Sequence, residues 1–237
     1  MKLSIIVPVF NEEKTIGKVL QALQEIKIKN VKPEIIVIDD GSKDKTWEKI
    51  TKSKHPKIIV KSLRHDKNMG KGAAVRTGIE RATGDYIIIQ DADLEYDPKF
   101  IQVLVSQISG SRDVIYGTRL NRMPNFKNEE RRIRFMAHYV GNRLLSLITS
   151  ILYGQWITDM ETCYKLMPAK EVKKIKLKSR RFDFEPEITS KLLKKGLVIK
   201  EVPIITKPRG YEEGKKLNTV SDGTVALWTL FKYRFTD

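Results

Sequence analysis

Tyr86-Ile87-Ile88-Ile89-Gln90-Asp91-Ala92-Asp93 is an apolar run that ends in two carboxylates. The run predicts a buried strand of a parallel sheet, where both faces are covered and polar alternation disappears. Open α/β sheets bind their ligands at the carboxyl ends of such strands. Asp91 and Asp93, flanking Ala92, stand at that end. Hard divalent cations take oxygen ligands, and Mg²⁺ or Mn²⁺ is held by one or two carboxylates together with substrate phosphates. The arrangement therefore points to a metal-bridged diphosphate. An acidic pair alone is common in loops; its place behind an isoleucine strand gives it weight.

Outward from this strand the first half of the chain alternates. Segments 3–9, 34–38, 57–63, 85–90 and 113–116 read as short apolar strands, and 12–28, 43–52, 71–82 and 98–108 as helices between them. That alternation argues for right-handed βαβ units around a mostly parallel sheet. Ile16, Leu20, Leu23 and Ile26 recur at helical spacing and predict the face of the first helix that packs on the sheet. Asp97-Pro98 has the form of an N-cap followed by proline at the first helical position. Beyond Arg119 the pattern changes. A polar, mobile loop is expected over 120–131, then a helix over 131–153 that starts basic and turns apolar. A helix at 185–194, a strand at 197–206, a charged segment at 207–217 and an amphipathic helix at 219–235 follow. Trp228, Phe231 and Phe235 on that last helix read as core.

Composition sets outer limits. The 237 residues suffice for one large α/β domain with a full core. One cysteine, Cys163, excludes an internal disulfide framework and a multi-cysteine zinc site, and fits a reducing compartment. No signal peptide is expected, because 3–9 already reads as the first strand. No stretch reaches the roughly 18 consecutive apolar residues of a spanning helix. The longest, 144–153, is broken by Ser146, Thr149 and Ser150, so the chain is not expected to cross a bilayer by itself. A net charge of +16 calls for an anionic partner: nucleic acid, an anionic membrane face or phosphorylated substrates. No RNA-binding aromatic signature or zinc-finger spacing accompanies the charge, and nucleic acid is not expected. Abundant lysine and isoleucine with a single cysteine also suit a heat-adapted protein.

Further loop signals close the predicted strands: Pro8-Val9-Phe10-Asn11-Glu12, Asp39-Asp40-Gly41-Ser42 and Asn68-Met69-Gly70-Lys71-Gly72. The last puts flexible backbone and a lysine at a helix N-terminus suited to anions, without P-loop spacing. Together with Asp91–Leu94, in this order, these pieces resemble the family-2 glycosyltransferases of GT-A fold, which use nucleotide-diphosphate sugars. In the second half Tyr116-Gly117-Thr118-Arg119, Asp159-Met160-Glu161-Thr162-Cys163, Phe184-Glu185-Pro186-Glu187 and Tyr211-Glu212-Glu213-Gly214-Lys215-Lys216 are similar to the polyprenol-phosphate branch, relatives of dolichol-phosphate mannose synthase.

The resemblance implies a single GT-A domain over 1–237, with a nucleotide-sugar-binding half (1–118) and an acceptor-side half (119–237). It implies that Pro8, Phe10, Glu12, Ile38 and Asp40 surround the nucleoside, Asp40 accepting from the base and Asp39 supporting it. Phe10 replaces the family's common tyrosine, which keeps stacking and loses a phenolic hydrogen bond. Asp91 and Asp93 would hold Mg²⁺ or Mn²⁺ and the diphosphate, with Glu95 as a third ligand where relatives often carry glutamine. Lys71 would lie near the diphosphate, and Arg209 and Lys215 would close over it as a lid. The implied reaction passes one hexose (from a GDP-mannose or UDP-glucose type donor) to a polyprenyl or dolichyl phosphate at the cytoplasmic membrane face, in one inverting step.

Charges explain why that chemistry suits these residues. Displacement at an anomeric carbon needs the departing diphosphate stabilised, which a cation and lysine or arginine supply. A phosphate monoester is largely dianionic at neutral pH, so it needs no general base. Arg119 and Arg132, or the adjacent Arg131, are the candidates for gripping the lipid phosphate, since arginine binds phosphate bidentately. An acceptor hydroxyl would instead need a base, for which Asp159 or Glu161 would serve; Asp159 is otherwise an acceptor-site residue or a turn carboxylate. A basic nucleic-acid-binding module is the more distant alternative. His55, His65 and His138 show no ligand spacing. Attachment to the membrane surface is expected through basic charge and the helices at 131–153 and 219–235, or through a membrane-spanning partner protein.

Overall fold

The computed structural model describes residues 1–53, 59–120, 133–207 and 219–236. Seven strands form one sheet in the order β3-β2-β1-β4-β6-β5-β7. In chain order they are β1 (Lys2–Val9), β2 (Lys32–Asp39), β3 (Ile59–Arg64), β4 (Tyr86–Ile89), β5 (Val114–Thr118), β6 (Lys165–Pro168) and β7 (Ile199–Pro203). All neighbours pair parallel except β6, which runs antiparallel to both β4 and β5. The helices are α1 (Ile16–Glu25), α2 (Thr46–Lys52), α3 (Lys71–Arg81), α4 (Phe100–Ser106), α5 (Ile133–Tyr153), α6 (Ala169–Val172), α7 (Phe184–Lys194) and α8 (Thr219–Phe235).

The isoleucine strand lies in the middle of this sheet: Ile87, Ile88 and Ile89 are buried and pair with β1. On α1, Ile16, Val19, Leu20 and Leu23 are buried on the sheet, each contributing about 1.5–3 kcal/mol by leaving water. Ile26 lies just past the helix end in extended backbone and only partly joins the core. The helix after Asp97 begins two residues later than the cap motif suggests. Asp97 Oδ1 accepts from the Lys99 N–H at 3.0 Å, while a tight turn through Pro98 leads into Phe100.

Two elements depart from the reading of the sequence. Strand β6 was not expected, because Lys165-Leu166-Met167-Pro168 begins with a charge and ends in proline. Its lysine is buried, with Nζ donating to the carbonyls of Met160 and Thr162 and lying 4.8 Å from the Tyr116 ring centroid. Trp228, Phe231 and Phe235 are not core: all three are exposed. Their spacing marks one face of α8 correctly, but that face points away from the sheet.

A buried carboxylate ties the amino edge of the sheet together. Glu34 on β2 accepts from the Ser4 hydroxyl (2.6 Å) and the Thr83 N–H (2.7 Å), with Lys61 Nζ at 3.1 Å and Lys2 Nζ at 3.2 Å. Burial alone would raise its pKa, but these donors outweigh it and bring the carboxyl from 4.5 down to about 2. A depressed folded-state pKa contributes stability that is complete above 4.5 and is lost as pH falls toward 2. The linkage amounts to about 3 kcal/mol. Acid unfolding followed by circular dichroism should show this: the stability of Glu34→Gln falls less steeply than that of the parent between pH 5 and pH 2 by roughly this amount. Parallel curves would refute the assignment.

Candidate active site

The carboxyl ends of β1, β2, β3, β4 and β5 open on one edge of the sheet, and the antiparallel β6 brings the segment before it to the same edge. Three loops there are stitched to one another. The Asn11 N–H donates to Ser42 Oγ (2.9 Å), and the Lys43 N–H donates to Asn11 Oδ1 (2.8 Å). Asn11 holds a left-handed φ of 51°, which asparagine tolerates better than most residues. The Glu12 N–H donates to Thr46 Oγ1 at 2.8 Å. Pro8 is buried and Phe10 and Glu12 are half-buried, whereas Ile38 has its side chain wholly within the core.

Asp40 is buried and engaged by the protein itself. Its Oδ1 accepts from the Met69 N–H (3.0 Å) and lies 2.7 Å from His65 Nδ1, and its Oδ2 accepts from the Gly70 N–H (2.7 Å). The carboxylate thereby fastens the 68–70 turn that starts α3. Neighbouring Asp39 accepts from the Ser42 N–H and faces Arg64 Nε at 3.0 Å. His65 reaches Thr77 Oγ1 with its other nitrogen, so its role is structural. A cleft of about 740 Å³ lies beside these groups, lined by Gly41, Ser42, Lys43, Arg64, His65 and Lys67 among others.

Gly70 is required where it stands. Its φ is +96°, and a Cβ there would come 2.2 Å from the carbonyl oxygen of Arg180. That close approach sets the first residue of α3, Lys71, against two carboxylates. Its Nζ lies 2.9 Å from Asp91 Oδ1 and 2.8 Å from Glu185 Oε1. Burial would lower the pKa of this ammonium, but Asp91 and Glu185 outweigh it and hold the group well above its usual value. Burial likewise would raise Asp91, and Lys71 keeps it below the usual carboxylate range.

Ala92 is buried and Asp93 is partly exposed. Leu94 then takes a left-handed φ of 66°, and the turn lets the Glu95 N–H donate to Asp93 Oδ1 at 3.0 Å. Among the described residues no three acidic, histidine or cysteine groups form a cluster able to hold a metal ion. Asp91 and Asp93 stand as a pair, with Glu95 on the turn that follows. The pair still fits a hard divalent cation, which takes one or two protein carboxylates and fills its remaining positions with water and phosphate oxygens.

Past the end of β5, Arg119 meets Asp159 in a two-pronged grip. Nε lies 2.7 Å from Oδ2 and Nη2 2.8 Å from Oδ1, and the Arg119 backbone N–H donates to Oδ2 at 2.9 Å. Asp159 is fully buried, and Glu201 of β7 anchors its loop by accepting from the Thr158 and Asp159 N–H groups. Asp159 thus positions a guanidinium, a poor arrangement for a base.

Three residues of this edge were given no role, or only an alternative one, on sequence. Glu185, the second partner of Lys71, comes from α7 and has no local signature linking it to Asp91. Lys165 is buried, and burial lowers its pKa against the pull of Glu185, Glu161 and Asp159. Glu161 is pushed up to about 8, first by burial and then by the charge of Glu185. Oε1 of Glu161 and Oε2 of Glu185 are buried with no hydrogen-bond partner among the described residues. Arg131, Arg132, Arg209 and Lys215, with the expected loop and lid around them, lie outside the described residues.

A mostly parallel sheet flanked by helices, with an acidic pair closing its central strand, is the architecture of a GT-A glycosyltransferase. Glucosyl-3-phosphoglycerate synthase from Mycobacterium tuberculosis, solved with Mn²⁺, UDP and phosphoglyceric acid, shares this fold. Its TM-score is 0.72 at 17% identity, over 100% of this chain and 79% of that one. The chain belongs to glycosyl transferase family 2, whose model matches residues 4–175. It is 30% identical over 235 residues to a UDP-N-acetylglucosamine–dolichyl-phosphate N-acetylglucosaminyltransferase of Methanococcus voltae, covering 91% of this chain and 90% of that protein. It is also 36% identical over 121 residues to a dolichol-phosphate mannosyltransferase of Pyrococcus furiosus, covering 50% of this chain and 33% of that one. The protein is a glycosyltransferase with relatives in the polyprenol-phosphate branch.

Proposed function

We propose that this enzyme transfers a hexose from a nucleoside-diphosphate sugar to a polyprenyl phosphate by direct, inverting displacement. The observation that carries the reading is the pair of cation grips at one sheet edge, Lys71 on Asp91 and Glu185, and Arg119 on Asp159. Both reactants are anionic, so their approach has to be favoured by fixed positive charge. Phe10, Glu12 and the loop fastened by Asp40 receive the nucleoside, beside the basic cleft at Lys43, Arg64 and Lys67. Asp91 and Asp93 hold Mg²⁺ or Mn²⁺, which when bound neutralises charge on the departing diphosphate. Lys71 orients Asp91 and adds its own charge on the diphosphate side. Arg119, fixed by Asp159, holds the acceptor phosphate, with Arg131 or Arg132 as its partner and Arg209 and Lys215 closing over the donor. The names of the relatives support a lipid-phosphate acceptor. The enzyme works peripherally at the cytoplasmic face of the membrane.

A second reading rests on Glu161. Its buried Oε1 has no hydrogen-bond partner among the described residues, and with the carboxyl raised to about 8 the minor ionised fraction at neutral pH is basic enough to take the proton of an acceptor hydroxyl. A transfer assay separates the two. UDP-glucose, GDP-mannose and UDP-N-acetylglucosamine are each offered with polyprenyl phosphate or with the dephosphorylated alcohol, with and without Mn²⁺. Transfer to the phosphate alone, metal-dependent and surviving Glu161→Gln within about tenfold, is expected. Transfer to the alcohol, abolished by Glu161→Gln, would establish the second reading instead.

A further inference from the structure

Gln90 follows the isoleucine strand as a fully buried amide, and burying an amide is costly unless its polar atoms are engaged. Here all of them are. Nε2 donates to the Asp91 carbonyl at 3.0 Å and to the Tyr96 carbonyl at 3.1 Å. Oε1 accepts from the Tyr164 hydroxyl at 2.5 Å. One NH₂ group thereby ties together the two ends of the turn, 91–96, that carries Asp91 and Asp93. Two carbonyls can be met only by the nitrogen, so the oxygen is left for a donor, and the Tyr164 hydroxyl fixes the amide in that orientation. Inside the turn Leu94 is held at a left-handed φ of 66°. A leucine keeps that conformation only where its surroundings enforce it, and such residues gather at ligand sites.

The partner of the amide is brought by the antiparallel strand. Ile88 of β4 pairs with Leu166 of β6, so Gln90 and Tyr164 stand opposite each other just past the ladder. Tyr164 is fully buried. Its ring lies 4.8 Å from that of Tyr96, tilted by 47°, and the Tyr96 hydroxyl accepts from the Cys163 N–H at 3.0 Å. Both ends of the turn are thus fastened to residues 163 and 164, shortly after Asp159. The Arg119 guanidinium lies 5.8 Å from the Tyr96 ring centroid. The acidic turn and the Arg119–Asp159 grip therefore share one support.

We propose that Gln90 and Tyr164 are a positioning pair for this turn. Neither touches a reactant. The amide fixes the spacing between the Asp91 and Tyr96 carbonyls, and so keeps Asp91 and Asp93 in the arrangement that takes Mg²⁺ or Mn²⁺. Residues that orient metal ligands in this way commonly govern affinity by about 10–100-fold. The pair deepens the proposed function and rests on that reading for the use of the cation, but its test needs no acceptor.

Bound Mn²⁺ is measured by electron paramagnetic resonance on the protein with UDP or with GDP, and melting temperature is recorded alongside. Gln90→Met should weaken Mn²⁺ binding about tenfold or more. Tyr164→Phe spares both N–H donors and should weaken it by less; it decides the matter if the methionine variant does not fold. The Mn²⁺ concentration for half-maximal transfer should rise by the same factor as the dissociation constant, while kcat at saturating Mn²⁺ stays close to that of the parent. Leu20→Ala, a truncation in the core beneath α1, should lower the melting temperature and leave Mn²⁺ affinity as it was. Unchanged Mn²⁺ affinity in the folded Gln90 and Tyr164 variants, with stability alone reduced as in that control, overturns the proposal. So does a parent that transfers without binding Mn²⁺. A parent that binds Mn²⁺ yet transfers nothing to polyprenyl phosphate refutes the proposed function alone.

Discussion

Asp91→Asn is expected to lower sugar transfer by about 10²–10³-fold while the protein stays folded. The loss follows from the position of the carboxylate. Asp91 closes the central strand of the sheet, is partly exposed, and is kept ionised by Lys71 at 2.9 Å. An amide there offers a neutral oxygen to a cation and removes one of two hard ligands. The fold survives because Lys71 keeps a second carboxylate, Glu185, at 2.8 Å. No buried charge is orphaned. The readouts are transfer rate and the shift in melting temperature on adding donor with Mn²⁺. Both should collapse, with the unliganded melting temperature moving only a few degrees. Transfer at the parent rate would remove Asp91 from the chemistry.

Arg119→Met should do two things at once, and a second substitution separates them. Deleting the guanidinium strips Asp159 of two bonds and leaves its buried charge with the Arg119 backbone N–H. Breaking a buried pair from one side costs about 3 kcal/mol, or roughly 6–12 °C in melting temperature for a chain of this size. Arg119→Met combined with Asp159→Leu removes both charges, and stability should largely return. Transfer should remain depressed by about 10²-fold or more in both, because the acceptor phosphate has lost the guanidinium charge and the donors that Asp159 leaves free. Arg119→Lys keeps the charge without the fork, and should fall between parent and methionine variant. If the double variant regains transfer along with stability, Arg119 is a structural residue only.

How much of this was legible in the sequence depended on distance along the chain. The five strands and four helices of the first half follow from short apolar runs alternating with 3.6-residue periodicity, and the loops at their ends were marked by glycine, proline and acidic pairs. The placement of Asp91 and Asp93 at a strand end came from that local pattern. Lys71 was placed at a helix start near the diphosphate, but its link to Glu185 joins α3 to α7 and no spacing rule reports it. Strand β6 escaped because a buried lysine at its start looks like surface. Lys165 is tolerated inside because two carbonyls and the Tyr116 ring receive its charge and the carboxyl groups of Glu185, Glu161 and Asp159 lie near it. The aromatic residues of α8 show the limit of periodicity in another way. A pattern identifies a face and leaves open whether protein or something else covers it.

The antiparallel insertion of β6 has a consequence for how the polypeptide can be cut. Among the described residues β5 pairs only with β6 and β7, both supplied from beyond residue 160, and β4 meets β6 directly. A fragment ending after Thr118 would keep the loops at the carboxyl ends of β1 to β4 yet lose the neighbours of its last strand. Its β4 would present a bare edge of unpaired amide groups, a template on which other molecules assemble. Shortened versions for screening or crystallisation therefore have to retain the polypeptide through β7.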